Sequence, residues 1–483
     1  GAGLCIIRFG VITTYIYFLF ILLINFGIAY RFSELVLAIM AKSKYLPMLD
    51  MLIDHPPVAL LYVTFNDAIP DLIHRLKRQN YKNYEIFILD DSTDKNYIQL
   101  IDNFKFITLR RGDRCGFKAG SLNNWLSKYG SKYKYFIIAD SDSAFKPDFI
   151  EKIVRYAEHP SNKKIAIFQS MILPWNKDVP FSRLVGALIP ISLYYYKKLG
   201  NECSTVLSWG HNNIHRTESI INVGGFDERF IAEDFATSMN LIRYGYQCKL
   251  VNILSYDAEP ETASNYRKRY VRWAKQTIQL FSNFSAENIP FNTRLHLLIG
   301  LYTYIIWIIL PIIISLGLWG FRSSLYDLDN IIYYVLSEDF INKEHIIYLI
   351  IILFYIFDIL FLRIPLAHKL GISIKDYFMS IILHMSLSNF MLFPLIYSEL
   401  KMLYNGHIEF DVTQKGREKN KSTLMQIIQQ MKLGVVFNLY LGIGLFKNPL
   451  FFIFNFFWLM PFLLSPISIY LIQRGDKNRY GKA

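Results

Sequence analysis

Two aspartates separated by a single residue, Asp140-Ser141-Asp142, close the apolar run Tyr135–Ala139. Carboxylates at that spacing on a strand end can turn into one pocket and offer hard oxygen ligands to Mg²⁺ or Mn²⁺, although a solvated turn or helix cap uses the same residues. Comparable groups follow two other apolar runs: Thr64-Phe65-Asn66-Asp67 after Val58–Thr64, and Asp90-Asp91-Ser92 after Glu85–Leu89. Gly112–Asn123 is a glycine-punctuated basic stretch leading into a helical pattern. Its backbone N–H groups and Lys118 can neutralise phosphate charge, and a plain surface loop is the alternative. Asp234 opens another helical pattern after Ala232-Glu233, where an N-cap explains an acid cheaply. Tyr266-Arg267-Lys268-Arg269-Tyr270-Val271-Arg272-Trp273 interleaves cations with rings. Such a segment can stack a sugar on Trp and hold phosphate with Arg, or anchor the chain among lipid headgroups.

Positioning these groups requires an α/β framework. Between Leu46 and Thr293 short β-rich runs (Val58–Thr64, Glu85–Leu89, Tyr135–Ala139, Ile165–Gln169) alternate with charged, helix-like stretches, which predicts a parallel sheet covered by helices. Ligands of open sheets bind beyond the carboxyl ends of the strands, where the acids lie.

Outside that block the chain is apolar. Of its 483 residues 53% are hydrophobic and 19% charged, which excludes a disordered chain and disfavours a purely cytosolic enzyme. Mean hydropathy is +0.23. Basic residues of membrane proteins collect on cytoplasmic loops and near anionic headgroups, so the net charge of +13 does not call for nucleic acid. Four cysteines without C-x-x-C spacing signal neither a disulfide framework nor a thiolate zinc site. Five stretches approach the roughly 20 apolar residues a helical span needs. They are the segment between Arg8 and Arg31, that between Arg294 and Arg322, His345–Leu362, Ser422–Phe446 if Lys432 snorkels, and Leu450–Ile472. Asp376–Glu399 is equally uncharged. If it crossed, however, the basic segments Lys401–Lys421 and Arg474–Lys482 would face outward, so it is expected to lie in the interface. Gln426, Gln429 and Gln430 suit a hydroxyl-rich lumen or a separate cytosolic helix. The chain opens Gly-Ala-Gly, as after tag removal or truncation.

In order, V-T-F-N-D, D-D-S, F-K-A-G-S-L-N, D-S-D, A-E-D and R-Y-V-R-W resemble the motifs of inverting family 2 glycosyltransferases of the cellulose synthase, hyaluronan synthase and osmoregulated glucan synthase group. Phe410-Asp411-Val412-Thr413-Gln414-Lys415-Gly416 is similar to the gating loop of cellulose-synthase-like enzymes. Arg269-x-x-Arg272-Trp273 replaces the usual Q-x-x-R-W, and Trp209-Gly210-His211-Asn212 resembles the glucan synthase branch rather than the Phe-Cys-Gly of cellulose synthases. The resemblance, from about Arg31 onward, implies an α/β GT-A (Rossmann-like) cytosolic catalytic domain plus an α-helical transmembrane channel region in the plasma membrane. Residues 1–45 would form an N-terminal transmembrane helix and interfacial segment, 46–293 the GT-A domain, and 294–483 the channel, with an interfacial helix over 376–403 and a gating loop over 407–420.

The resemblance also implies roles. Asp234 would be the catalytic base, and Asp142 with Asp140 would hold Mg²⁺ or Mn²⁺ on the diphosphate. Thr64, Asp90, Asp91, Lys118, Asp140, Arg269, Arg272, Thr413 and Lys415 would bind the UDP-sugar donor. Trp273, Trp209 and His211 would hold the growing glycan acceptor, and Phe410, Val412, Thr413 and Lys415 would form the gate. The expected activity is processive synthesis of a β-linked polysaccharide, most simply a β-glucan from UDP-glucose, secreted through the enzyme's own channel among membrane lipids. The alternative is transfer of one sugar to a lipid acceptor. A transporter with a nucleotide-sensing domain predicts inverted repeats, and none is seen.

Overall fold

A computed structural model describes residues 29–30, 32–42, 45–283, 287–304, 357–405, 422–447 and 460–474. Of the expected spans, the first lies outside these residues apart from its last two, and the second and third are described only at one end each. The loop containing Phe410, Val412, Thr413 and Lys415 also lies outside them.

Seven strands form one sheet: β1 (Val58–Thr64), β2 (Tyr84–Asp90), β3 (Ile107–Leu109), β4 (Tyr135–Asp140), β5 (Ile165–Pro174), β6 (Asn213–Arg216) and β7 (Gln247–Asp257). Their spatial order is β3-β2-β1-β4-β6-β5-β7. Strands β1 and β4 read as continuous apolar runs because both faces are covered. Val58, Leu60 and Tyr62, with Tyr135 and Ile137, pack into one cluster with the Phe149–Glu158 helix; Ala59 and Leu61, with Phe136 and Ile138, pack on the opposite face against Ala119, Leu122 and Trp125 of the Phe117–Tyr129 helix. The alternation is the two-residue period of a strand.

Register does the positioning. Thr64 pairs with Asp90 and Val63 with Asp140, so the ends of β1, β2 and β4 lie side by side.

The sheet is mixed rather than parallel. Strand β6 runs antiparallel to both β4 and β5. Its four residues are too short and polar to announce themselves as a strand, and its direction matters. A strand that starts where its neighbours finish carries the residues preceding it to their carboxyl edge. Trp209–Asn212 arrive there in this way, with the Asn212 N–H donating to the Ile138 carbonyl at 2.7 Å. Strand β7, parallel to β5, ends on Asp257 at the same edge.

The Ala263–Asn283 helix leaves the sheet and packs on the Ile374–Asn405 helix through a shared apolar cluster that includes Tyr266, Ala274, Leu383, Leu387 and Phe390. Arg267 lies over the Phe390 ring at 5.0 Å and donates to the Gln430 carbonyl at 3.2 Å. Residues Ile374–Met402 are, among those described, the one helix long and apolar enough to cross a membrane, and half of the tested stretch is buried against the rest of the protein.

Ser422–Phe446 is not one continuous helix. Leu424–Gln430 and Lys432–Lys447 are separate helices joined at Met431. The first opens on a capping box between Thr423 and Gln426, so the Gln426 amide is engaged by its own helix end. Asp358, near one end of an expected span, is buried and accepts from the Arg363 Nε at 2.6 Å.

Candidate active site

The carboxyl edge of the sheet opens into a cavity of about 290 Å³ lined by residues from β1, β4, the ends of β2 and β7, the Trp209–His211 segment and the Glu233–Arg243 and Ala263–Asn283 helices. Its two sides are built differently.

On the side of β1 and β2, acids are paired. The Asp90 carboxylate accepts from the Arg110 Nε at 2.7 Å and from the Ser92 N–H at 2.9 Å. Asp91 accepts from Arg111 through both oxygens, at 3.1 and 2.5 Å, a bidentate fork that holds both planes. Arg111 also donates to the Cys115 carbonyl at 2.6 Å and the Phe117 carbonyl at 2.8 Å, so one guanidinium ties the Gly112–Phe117 turn to the end of β2. This turn needs backbone proximity as well as hydrogen bonds: a Cβ on Gly120 would collide with the Cys115 carbonyl oxygen. Thr64 donates to Asp67 at 2.8 Å, and Asp67 accepts from Ser141 at 2.6 Å, which locks β1 to the turn after β4.

At the centre Lys118 donates to the Asp140 Oδ1 at 2.6 Å and the Gly210 carbonyl at 2.9 Å, with Glu233 at 3.9 Å. Burial lowers the Lys118 pKa, but Asp140 and Glu233 outweigh it and the net shift is upward, so the ammonium persists.

On the far side acids are buried with fewer cations. Asp234 lies in the first turn of the Glu233–Arg243 helix, with its Oδ1 accepting the Phe235 N–H at 2.9 Å. Gly210 has φ +85°, and a side chain there would come within 2.9 Å of the Asp234 Oδ2, so a bare backbone leaves that oxygen its room. Burial raises the pKa of Asp234, Glu233 and Glu259, and the neighbouring Asp234 charge raises Glu233 further. Glu259 forms an ion pair with Arg269. His211 sits between acceptors: its Nε2 is 3.1 Å from Asp257, and its Nδ1 is 3.1 Å from the Trp209 carbonyl and 3.9 Å from Asp140. Burial lowers its pKa, while Asp140 and Asp257 more than compensate. Trp273 is 39% exposed at the rim, with Arg269 over its ring at 4.9 Å. Burial lowers the pKa of Arg272.

The cavity therefore gathers Thr64, Asp91, Lys118, Asp140, Asp142, Trp209, His211, Asp234, Arg269, Arg272 and Trp273 from positions scattered along the chain. Asp90 lies behind the lining, engaged by Arg110. Lys118 and Arg269, anticipated as phosphate contacts, each already pair with a carboxylate. Glu233, Asp257, Glu259, Trp175 and Arg114 also line the cavity and were not singled out. Asp257 ends β7, so the rule of inspecting residues after each strand finds it once β7 is recognised.

Among the described residues no group of three or more His, Cys, Asp or Glu is arranged to hold a metal. A divalent cation fits the Asp140 and Asp142 oxygens provided that its remaining ligands are substrate phosphates and water, the usual arrangement for Mg²⁺.

Residues 135–398, more than half of the chain, match the family described as glycosyl transferase family group 2. The chain belongs to this family. Residues 61–200 also match glycosyl transferase family 2. Curated relatives of this family 2 glycosyltransferase include the glucans biosynthesis glucosyltransferase H of Xanthomonas campestris pv. campestris (strain B100), 24% identical over 288 residues that cover 52% of this chain and 44% of the relative. The protein of the same name from Caulobacter vibrioides (strain NA1000 / CB15N) is 25% identical over 288 residues, covering 52% and 42%. The chain thus spans less than half the length of these relatives. They agree with the motif resemblance to the glucan synthase and cellulose-synthase-like group. The structure of mannosyltransferase PcManGT from Pyrobaculum calidifontis, in complex with GDP-Man and Mn2+, superposes with a TM-score of 0.50 at 15% identity, covering 82% of this chain and 99% of that one. This places the mixed sheet in the GT-A-like fold.

Proposed function

We propose that this glycosyltransferase transfers glucose from UDP-glucose to the end of a growing β-linked glucan with inversion at the anomeric carbon. One observation carries the proposal: Asp234 lines the same cavity as the Lys118–Asp140 pair and lies beside Gly210, whose carbonyl Lys118 holds, so a donor diphosphate and an acceptor hydroxyl would meet near its carboxylate. Inversion needs a single base on the acceptor side and a positively charged grip on the leaving diphosphate. Asp234, buried and raised in pKa, takes the hydroxyl proton at its Oδ2. Arg272 and Lys118 balance the diphosphate, and Trp273 at the rim offers its face to the terminal sugar. Bound at Asp142 and Asp140, Mg²⁺ or Mn²⁺ would neutralise the leaving diphosphate. Glu233, Asp257 and Glu259 surround the acceptor half with acceptors for sugar hydroxyls.

The glucan relatives support glucose and a polymeric product. The division into an N-terminal span (1–45), a GT-A domain (46–293) and a channel region (294–483) belongs to the same proposal, with residues 376–403 in the cytosolic interface and the loop over 407–420 closing on bound donor in each cycle. Purified protein incubated with a panel of UDP-sugars and Mg²⁺ or Mn²⁺, followed by product sizing, tests it. A ladder or long polymer from UDP-glucose is expected, and its length collapses in Phe410→Ala with Thr413→Ala while UDP affinity holds. A single sugar on a lipid, with the loop variant turning over normally, establishes the lipid-acceptor alternative instead.

A further inference from the structure

Trp209 lines the cavity and also packs into the apolar cluster of Met171, Leu193, Val206 and Leu250, together with Tyr196. Its backbone N–H donates to the Gln169 Oε1 at 2.9 Å, which fixes the main chain but leaves the ring to be held by its neighbours. Tyr196 supplies that hold. The two rings meet edge to face, with centroids 5.6 Å apart and planes at 67°, an arrangement that prefers one orientation over others. The Tyr196 hydroxyl lies 3.1 Å from the His296 Nε2, and the Tyr195 ring runs nearly parallel to the same imidazole at 6.3 Å. Neither Tyr196 nor His296 is among the residues lining the cavity.

His296 belongs to the helix over 291–304, which adjoins the second of the expected spans. Its Nδ1 lies 3.5 Å from the Oε1 of Glu34, in the helix over 32–40 that follows the first. A carboxylate there favours the tautomer with its proton on Nδ1, so that Nε2 accepts the Tyr196 hydroxyl. The 291–304 helix also grips the chain leading to Trp209. The Thr293 Oγ1 donates to the Ser204 carbonyl at 2.7 Å, and Leu297 packs into the cluster of Leu207, Met239 and Ile289. Between these anchors Tyr196–Gly200 winds as a π-helical turn, a rare form that is frequent at functional sites.

We infer that His296 is a positioning residue for the acceptor: through Tyr196 it sets the angle at which Trp209 meets the growing glycan. This rests on the acceptor role proposed for Trp209 and names what fixes that ring. A pyranose stacks through its C–H face, so it is gripped only while the indole plane is kept from turning. The donor half is held by other bonds, Asp91 by Arg111 and Lys118 by Asp140. Loosening the Tyr196–His296 contact therefore loosens the glycan and leaves the nucleotide in place. When the chain end drifts, water takes its place at the anomeric carbon, and UDP-glucose and water give UDP and free glucose.

Three measurements on the purified full chain test the inference: product length from UDP-glucose, free glucose released per UDP, and UDP affinity by calorimetry. In His296→Leu and in Tyr196→Phe, which removes one oxygen, mean product length is expected to fall about two- to tenfold, the scale of one oriented aromatic contact, with more free glucose and unchanged UDP affinity. His296→Gln, whose amide oxygen can accept the tyrosine hydroxyl, restores the length. The double variant Tyr196→Phe with His296→Leu is no worse than the more severe single one, because both break the same contact. Wild-type length in both single variants overturns the inference and leaves the proposed function standing. So does UDP affinity that falls in step with length, since the contact then supports the domain as a whole, and so do additive losses in the double variant. Wild type that makes no polymer from UDP-glucose overturns the proposed function and this inference together.

Discussion

The two sides of the cavity solve the burial of charge in opposite ways. Toward β1 and β2 the acids Asp90 and Asp91 are each matched to an arginine, which makes a rigid, neutralised wall. Toward β6, β7 and the Glu233–Arg243 helix, acids outnumber their cations and hold their protons more tightly than usual because burial disfavours the charged form. A wall of satisfied pairs binds and orients. A cluster of carboxylates with raised pKa values can accept a proton near neutral pH, as the proposed inverting transfer requires. The Lys118 ammonium, donating to Asp140 and to the Gly210 carbonyl, is where the two designs meet.

The contrast breaks most clearly at Asp234. Asp234→Asn should lower turnover by about 10²–10⁴-fold while UDP affinity stays near wild type, because an amide cannot take the proton. Comparable turnover in the variant, followed by product release, would remove Asp234 from the base role. Next comes the centre: Asp142→Ala should reduce UDP binding and transfer together by at least about 10–100-fold, the range seen when a metal's supporting groups are lost, and excess chelator should mimic it in wild type. Full turnover in chelator would show that the carboxylates act without a cation. On the paired wall, Gly120→Ala forces the Cys115 backbone carbonyl aside and should both weaken UDP by about tenfold and lower the melting temperature. Unchanged UDP affinity would show that the turn does not touch the donor.

The smallest expected effect concerns pH. Carboxylates raised by folding retain protons that the unfolded chain has released, so their contribution to stability is complete below the ordinary carboxylate range and is lost as pH rises through the raised folded values. Melting temperature in detergent should therefore decline across that window, and Glu233→Gln, which cannot ionise, should flatten the decline. The acid limb of kcat/KM should likewise lie above the ordinary aspartate range, because Asp234 must ionise to act. A limb at the ordinary aspartate position would place the base in a solvated environment.

Much of the paired wall is legible in the sequence, because β1, β2 and β4 are largely apolar runs, of which β2 and β4 stop on acids and β1 on Thr64, and a strand buried on both faces has no other pattern to show. Thr64, Asp91, Asp140 and Asp142 follow directly from those stops. The carboxylate cluster was harder to see. Asp257 ends β7, whose interior Lys249, Asn252 and Ser255 blur the apolar run, and Glu233 is overshadowed by its neighbour Asp234. His211 and Trp209 are marked by motif resemblance alone, since nothing in a four-residue strand with three polar residues announces that β6 runs backwards. The break at Met431 was hidden for a different reason: it has neither proline nor glycine to mark it, and only the pairing of Thr423 with Gln426 shows that the first helix has its own beginning.

Strand β6 has a consequence for how the enzyme is made. Strands β1, β2, β3 and β4 pair with one another using chain that has already left the ribosome by Asp140. Strand β5 then emerges with no partner among them, because β6 separates it from β4. Until Asn213–Arg216 is synthesised and wedged between the two, both β4 and β5 present open edges, the feature most prone to wrong pairing in a nascent chain. The same wedge draws Trp209–Asn212 to the site in a late, long-range step of folding, after which β7 still has to pair with β5 and bring Asp257 to the same edge. A ribosome that stalls before Asn213 leaves a sticky half-sheet rather than a partly active enzyme.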